Sequence, residues 1–385
     1  MKKFFFLTIF LTLNYFLKSQ IIFGNSQFEN YLPFLQNKKV ALVVNHTAKI
    51  NDKHLVDVLC EKGISIIKIF APEHGFRGNS DRGQNIPDSI DEKSKIPIVS
   101  LYGKNHKPSA AQLQNVDVVL FDIQDVGVRF FTYISTMHYV MEACAENRKK
   151  LIILDRPNPL GDYVDGPVLK NEFRSFVGMH PIPIVHGLTI GELAKMINGE
   201  KWLKNKVQCD LEVVKMKNYS HKTQFFPDIK PSPNLVNAVS IRLYPSLCLF
   251  EGTNVSVGRG TEFPFQIIGF PDKKFGDFSF TPVSKKNMES KPLHQNKICY
   301  GIDLRDAALD SKFSLKYFLE FYRKSGWKEK FFAQKEFFNK LAGNSDLQKQ
   351  IIEGKSESEI KESWKKDIEK YKILRKKYLL YEDFE

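Results

Sequence analysis

The chain has 385 residues, 42% of them hydrophobic, and its 57 basic and 44 acidic side chains give a formal net charge of +13. That is enough apolar material for a large core without a disulfide framework. The five cysteines form no CxxC pair, which argues against a cysteine zinc site and a disulfide-stapled module. Most of the basic residues are single lysines, as on a solvated surface, and no RNP, KH or zinc-finger pattern points to nucleic acid.

Lys2 and Lys3 precede an apolar stretch over residues 4–17, followed by Lys18-Ser19-Gln20. A positive start and a short apolar region predict a secretory signal peptide within residues 1–24 and export to the periplasm or outside the cell. The stretch is short for a membrane span, which needs about 20 apolar residues, so no stable membrane insertion is expected.

From residue 25 strand-like and helix-like segments alternate. Apolar runs at 40–44, 64–70, 116–123 and 151–154 read as strands. Helical patterns lie near 54–61 and 133–146 and at 189–197, the last with Thr189 and Glu192 spaced as a capping box. This alternation predicts an α/β fold, a Rossmann-like, mainly parallel sheet with helices on both faces, over residues 25–230. Pro227, Pro231, Pro233 and Asn234 mark a boundary. Residues 231–385 are expected to form a second, smaller α+β domain that closes a cleft. It would open with strands at 241–244 and 265–270 around a Gly-rich block, and end in amphipathic helices from Leu315.

Ligands of open α/β sheets bind outside the carboxyl ends of the strands. Each apolar run here is followed by polar residues: Asn45-His46-Thr47, then Glu73-His74-Gly75-Phe76-Arg77, then Asp122 to Arg129, then Asp155 to Asn158. Four such clusters on one rim predict a site. Only 11 of the basic residues are Arg, and Arg77, Arg129, Arg156 and Arg259 all stand in such blocks. Glu73, on a Gly-bounded loop, is the leading acid/base candidate, with His74 placed to orient it. Asp122 and Asp125 are further catalytic candidates. Asn45, Gln124, Tyr133 and Asn158 complete the expected rim, and Glu251, Asn254 and Arg259 form a facing wall in the Gly-rich block. No G-x-S-x-G elbow, P-loop, G-x-G-x-x-G after the first strand, or H-E-x-x-H occurs.

The blocks Ala71-Pro72-Glu73-His74-Gly75-Phe76-Arg77-Gly78, Ser100-Leu101-Tyr102-Gly103, Asp122-Ile123-Gln124-Asp125-Val126-Gly127-Val128-Arg129, Asp155-Arg156-Pro157-Asn158-Pro159 and His186-Gly187-Leu188-Thr189 resemble the exo-acting β-N-acetylmuramidase family. So does the block from Glu251 to Thr261. The resemblance extends from about residue 40 to 381. It implies cleavage of the β-1,4 bond behind a non-reducing terminal N-acetylmuramic acid, with a peptidoglycan-derived disaccharide or muropeptide as substrate and no cofactor. It makes Glu73 the catalytic acid. For the opposite face of the sugar Asp122 and Asp125 are candidates for a second carboxylate, and a substrate-assisted route through the 2-acetamido group is also open. One or more of Arg77, Arg129, Arg156 and Arg259 would suit the lactyl carboxylate. Two other readings stay open on the sequence: a metal-dependent hydrolase using these carboxylates with His46, His74 or His186, and a non-catalytic cell-wall sugar-binding protein.

Overall fold

The computed structural model describes residues 20–76 and 87–385. Its strands are β1 (Val40–Val44), β2 (Lys49–Ile50), β3 (Lys53–His54), β4 (Ile66–Ala71), β5 (Ser89–Ile90), β6 (Pro97–Ser100), β7 (Val118–Asp122), β8 (Lys150–Leu154), β9 (Asp210–Val214), β10 (Ile267–Phe270), β11 (Phe278–Phe280) and β12 (Cys299–Asp303). Its α-helices are α1 (Leu32–Leu35), α2 (Leu55–Glu61), α3 (Ala110–Leu113), α4 (Tyr133–Glu146), α5 (Ile190–Gly199), α6 (Ala238–Leu247), α7 (Lys316–Ser325), α8 (Lys335–Ala342), α9 (Asp346–Ile352) and α10 (Glu357–Lys376).

Seven strands form one sheet in the order β5-β6-β4-β1-β7-β8-β9, and every pairing is parallel except that of the edge strand β5. All five residues of β1 are buried, as are all five of β7. Strands covered on both faces need apolar residues at every position, hence the unbroken runs in the sequence. Successive side chains go to opposite layers. Leu42 and Val44 pack with Leu55 and Leu59 of α2, whereas Ala41 and Val43 share a core with Met137 and Met141 of α4. The chain runs outward from β1 through β4 and β6, then returns to place β7 on the other side of β1. That reversal opens a crevice at the carboxyl ends of β1 and β7.

The smaller part carries an antiparallel sheet, β10-β12-β11, and the helices α7 to α10. Phe250, Phe318 and Phe338 there belong to the same continuous apolar cluster as α4. Residues 241–244, expected as a strand, lie inside α6. Asn237 accepts the Ser240 amide, and the Ser240 hydroxyl accepts the Asn237 amide, so a capping box starts a helix there. A short apolar run does not separate a buried helix from a strand, and the cap decides. The Gly-rich block forms a 3-10 turn, Cys248–Gly252, followed by loops.

Both described ends of the chain pack on the sheet rim. Ile22 bridges Lys217, the Gly24 amide donates to the Asp155 carbonyl at 3.0 Å, and Asn25 Nδ2 donates to Asp122 Oδ2 at 3.0 Å. A boundary at residue 24 therefore cuts through packed chain, and residues 20–24 belong to the folded body. The rest of the expected signal segment lies outside the described residues. From the other end, Tyr371 donates its hydroxyl to the His186 carbonyl at 2.7 Å, and Tyr381 donates to Asp155 Oδ2 at 2.6 Å. Among the described residues no helix is long and apolar enough to cross a membrane.

Candidate active site

Strand β4 delivers the chain to Ala71, and Pro72 begins a tight turn closed by the Gly75 amide on the Pro72 carbonyl at 3.0 Å. His74 has φ +67° and Gly75 φ +77°. A histidine in the left-handed region is uncommon and is held there by its surroundings. The turn sets Glu73 in a buried position, 8% exposed. There Thr132, the residue that precedes α4, donates its hydroxyl to Glu73 Oε2 at 2.7 Å. A strand end and a helix start thus fix one carboxylate between them.

Glu73 and His74 line a cavity of about 250 Å³, with Tyr102, Thr132 and Tyr133 on the sheet side. Ser232, Asn234, Tyr244, Glu251 and Arg259 line it from the smaller part. Arg259 Nε donates to Glu251 Oε1 at 2.6 Å, and its guanidinium carbon lies 4.9 Å from the centroid of the Phe265 ring. Arg259 Nη1 is buried without a hydrogen-bond acceptor among the described residues, although Glu289 lies 3.9 Å from it. A buried cationic donor in a cavity wall is suited to an anionic ligand group. Glu73 and Glu251 are the carboxylates of the described lining.

Tyr133 donates to the Pro231 carbonyl at 3.1 Å. Burial, then the charge of Glu73, hold its phenol well above the usual value, so it stays a neutral donor. Asn45 lies beside it. The Asn45 side-chain oxygen accepts from the Thr47 amide and hydroxyl, and its Nδ2 is buried without a hydrogen-bond partner among the described residues.

The structure does not gather the remaining predicted residues into this cavity. Gln124 and Arg156 line a second one, about 650 Å³, together with Thr47, Phe23 and Asp228. Arg156 is paired with Asp122, which is 0% exposed, so neither charge faces the Glu73 cavity. Asp125 lines neither cavity. Its Oδ2 accepts the Gly127 amide at 2.7 Å and its Oδ1 is buried with no partner among the described residues. Burial pushes this carboxyl up to about 7.

Arg129 is a tie and not a ligand donor. It is 0% exposed, and it donates to the carbonyls of Pro167 and Ile182 through Nη1 and of Leu341 through Nη2. It therefore holds the end of α8, which supplies a wall of the Glu73 cavity, against the sheet domain. Asn158 donates to the Leu188 carbonyl and accepts the Leu160 amide, and it braces the Gly127 turn, where any Cβ would strike its side chain. Asn254 accepts from His294 Nε2 at its backbone carbonyl and is absent from the described lining. Arg77 lies outside the described residues.

His46 bonds the Lys230 carbonyl through Nε2, and His186 accepts the Leu188 amide at Nδ1. Burial pushes His186 down to about 3, which keeps it neutral. Among the described residues no three of His, Cys, Asp and Glu are grouped to hold a metal ion, so the metal-dependent reading finds no donor set there.

Sequence reasoning missed Thr132, Tyr244 and Phe176 as lining residues. Thr132 had a usable signal, a hydroxyl immediately before a helix. Phe176 sits in a loop with no periodicity, so nothing local marked it.

Fold and site together define a two-part α/β protein with a carboxylate and an arginine facing one small cavity beside the strand ends of a doubly wound sheet. The chain belongs to the exo-β-N-acetylmuramidase NamZ family: its N-terminal family model matches residues 40–239 and its C-terminal one residues 242–381. The chain is 40% identical over 380 residues to the peptidoglycan β-N-acetylmuramidase NamZ of Bacillus subtilis (strain 168), covering 91% of this chain and 89% of that protein. It is similar to two crystal structures of DUF1343 family proteins from Bacteroides fragilis NCTC 9343. One is 46% identical with a TM-score of 0.88, covering 95% of this chain and 100% of the other. The second is 28% identical with a TM-score of 0.82, covering 94% and 99%.

Proposed function

We propose that this protein is a glycoside hydrolase, an exo-β-N-acetylmuramidase that releases N-acetylmuramic acid from the non-reducing ends of peptidoglycan fragments. Family membership and the Bacillus relative support the substrate class. The observation that carries the chemistry is Glu73, fixed by Thr132 in a cavity whose other wall presents Arg259.

Cleavage of a β-1,4 glycosidic bond requires a proton on the leaving oxygen, and Glu73 is the group placed to give it. The lactyl carboxylate of muramic acid meets Arg259, whose Nη1 offers a donor. The opposite face of the sugar needs an activated water or a nucleophile. Glu251, the other carboxylate of the described lining, takes this role in place of Asp122 and Asp125, which lie outside it. Tyr133 supplies a neutral wall beside Glu73.

The test is incubation of the purified protein with a chromogenic β-N-acetylmuraminide and its N-acetylglucosaminide counterpart. Release of chromophore from the first alone is expected. Stoichiometric binding without turnover would establish the sugar-binding alternative.

The protein also acts outside the cytoplasm in this reading. Lys2, Lys3 and the apolar residues after them support export, and the packing of Ile22 and Gly24 on the folded body favours a cleavage site before them over one after them. N-terminal sequencing of exported material should find a start near residue ~20. An intact Met1 in a membrane fraction would reverse the assignment.

A further inference from the structure

A third, larger hollow, a groove of about 940 Å³, lies beside the Glu73 cavity, lined by Tyr139 and Glu142 of α4 and by the loop that follows α5. A run of ring contacts links the two linings. Tyr102 and Phe176 line the Glu73 cavity, and their rings are 5.9 Å apart between centroids. His106 stacks on Phe176 at 4.2 Å, and Tyr139, a lining residue of the groove, lies 6.2 Å from His106 with the two rings 19° apart. A run of rings leading away from a glycosidase pocket is a surface on which a further sugar can lie, because C–H faces of sugars pack on apolar rings as other apolar surface does.

Beyond the rings the groove is cationic. Lys107 is neutralised by Glu142 and Glu146, each at 2.6 Å. Arg174, Lys201, Lys204 and Lys206 also line the groove, and their side-chain charges have no ion-pair partner among the described residues, although the Lys204 amide donates to Glu142 Oε2 at 2.8 Å. Trp202 stands between them and stacks on the buried His180 at 5.8 Å. Lys201, Asn205 and Lys206 all have φ between +55° and +57°, so this loop is held in a conformation that ordinary side chains resist. Most of the chain's other lysines are scattered; here several converge on one concave surface, whose Tyr139 ring lies 6.4 Å from that of Phe176 in the Glu73 cavity.

We propose that this groove binds the acidic peptide borne by the glycan on the leaving side of the scissile bond, with the His106, Phe176 and Tyr139 rings supporting the intervening sugar. This rests on the glycosidase reading above. The groove's place beside the cavity favours part of the same substrate over a separate polyanion.

The experiment compares wild type with the triple variant Arg174→Ala, Lys201→Ala, Lys204→Ala on three substrates: a chromogenic muraminide, a short glycan without peptide, and the same glycan carrying its acidic peptide. Expected is a rise in KM of about tenfold for the peptide-bearing glycan at low salt, shrinking as ionic strength screens the exposed charges. KM and kcat on the other two substrates stay at wild-type values. Equal KM for the triple variant and wild type on the peptide-bearing glycan overturns the proposal, as does an equal rise on the peptide-free one. Loss of binding to an anionic wall polymer with all three hydrolyses intact also overturns it, and gives the groove to that polymer. Failure of wild type to cleave the chromogenic muraminide is a different result, since it removes the glycosidase reading itself.

Discussion

Arg156 grips Asp122 through two hydrogen bonds, Nε to Oδ1 at 2.5 Å and Nη2 to Oδ2 at 2.9 Å, with both side chains almost entirely out of water. The pair ties the end of β7 to the residue after Asp155 at the end of β8. Removing one partner leaves a buried charge without compensation, which costs about 3–5 kcal/mol. Asp122→Asn and Arg156→Met should each lower the urea midpoint accordingly. The double change, which removes both charges, should cost less than the two single losses added. Additive losses would show that the two side chains act separately.

Glu73→Gln keeps the size of the side chain and the Thr132 contact. It should therefore leave the melting temperature near wild type and cut turnover of the natural disaccharide by roughly 10²–10⁴-fold. A good chromogenic leaving group needs less protonation and should lose less. Equal losses on both, with a lowered melting temperature, would make Glu73 a structural residue.

Arg259→Met removes the buried donor of the cavity wall. A hydrogen bond to a charged group contributes about 1.5–3 kcal/mol, so kcat/KM on the muraminide should fall by roughly tenfold to a hundredfold or more. Because Arg259 also holds Glu251, part of the loss should appear in kcat. Addition of guanidinium ion, tested below denaturing levels, should restore some activity. An unchanged preference for muramic acid over N-acetylglucosamine would place the lactyl group elsewhere.

Asp125 gives a pH dependence. Burial raises its folded value to about 7 from an ordinary value of 3.8. Between these values the folded state keeps a proton that the unfolded state has lost, so the contribution is full below pH ~4 and is lost as pH rises through ~7. Asp125→Asn, which cannot ionise, should gain stability relative to wild type over that window. The gain should be about 2 kcal/mol and is capped near ~4 kcal/mol by the size of the shift. Urea titrations at the two ends of the range measure it, and a gap that does not change with pH would show Asp125 ionised in the fold.

The parallel sheet was legible because β1 and β7 are covered on both faces and must be apolar throughout, a pattern that survives in a linear sequence. The α5 start was legible for a local reason, since Thr189 and Glu192 form the expected capping box. Helix α6 was not legible, because Ile241-Arg242-Leu243-Tyr244 has the composition of a strand and its cap, Asn237, stands beside a proline cluster that reads as a linker. Within the candidate site, Glu73 stood out by its place after a strand on a Gly-bounded loop. Arg129 and Arg259 look alike in sequence, yet one is spent on three carbonyls and the other faces a cavity. Only the path of distant segments, such as α8 at Leu341, separates them.

The anchor formed by Tyr381 and Arg375 bears on the order in which the fold is completed. Asp155 receives the Thr189 hydroxyl, the Gly191 amide and the hydroxyl of Tyr381, and Arg375 reaches the Gly187 carbonyl at 2.9 Å. The donors from Tyr381 and Arg375 are separated from their acceptors by 226 and 188 residues of chain. The pairings of β1, β4, β7 and β8 involve neither residue, so the core of the sheet can assemble before these distant donors arrive. Closure of the sheet rim is therefore a late step of folding, and loss of the segment after α10 would leave the sheet built and the bond from Tyr381 to Asp155 unmade.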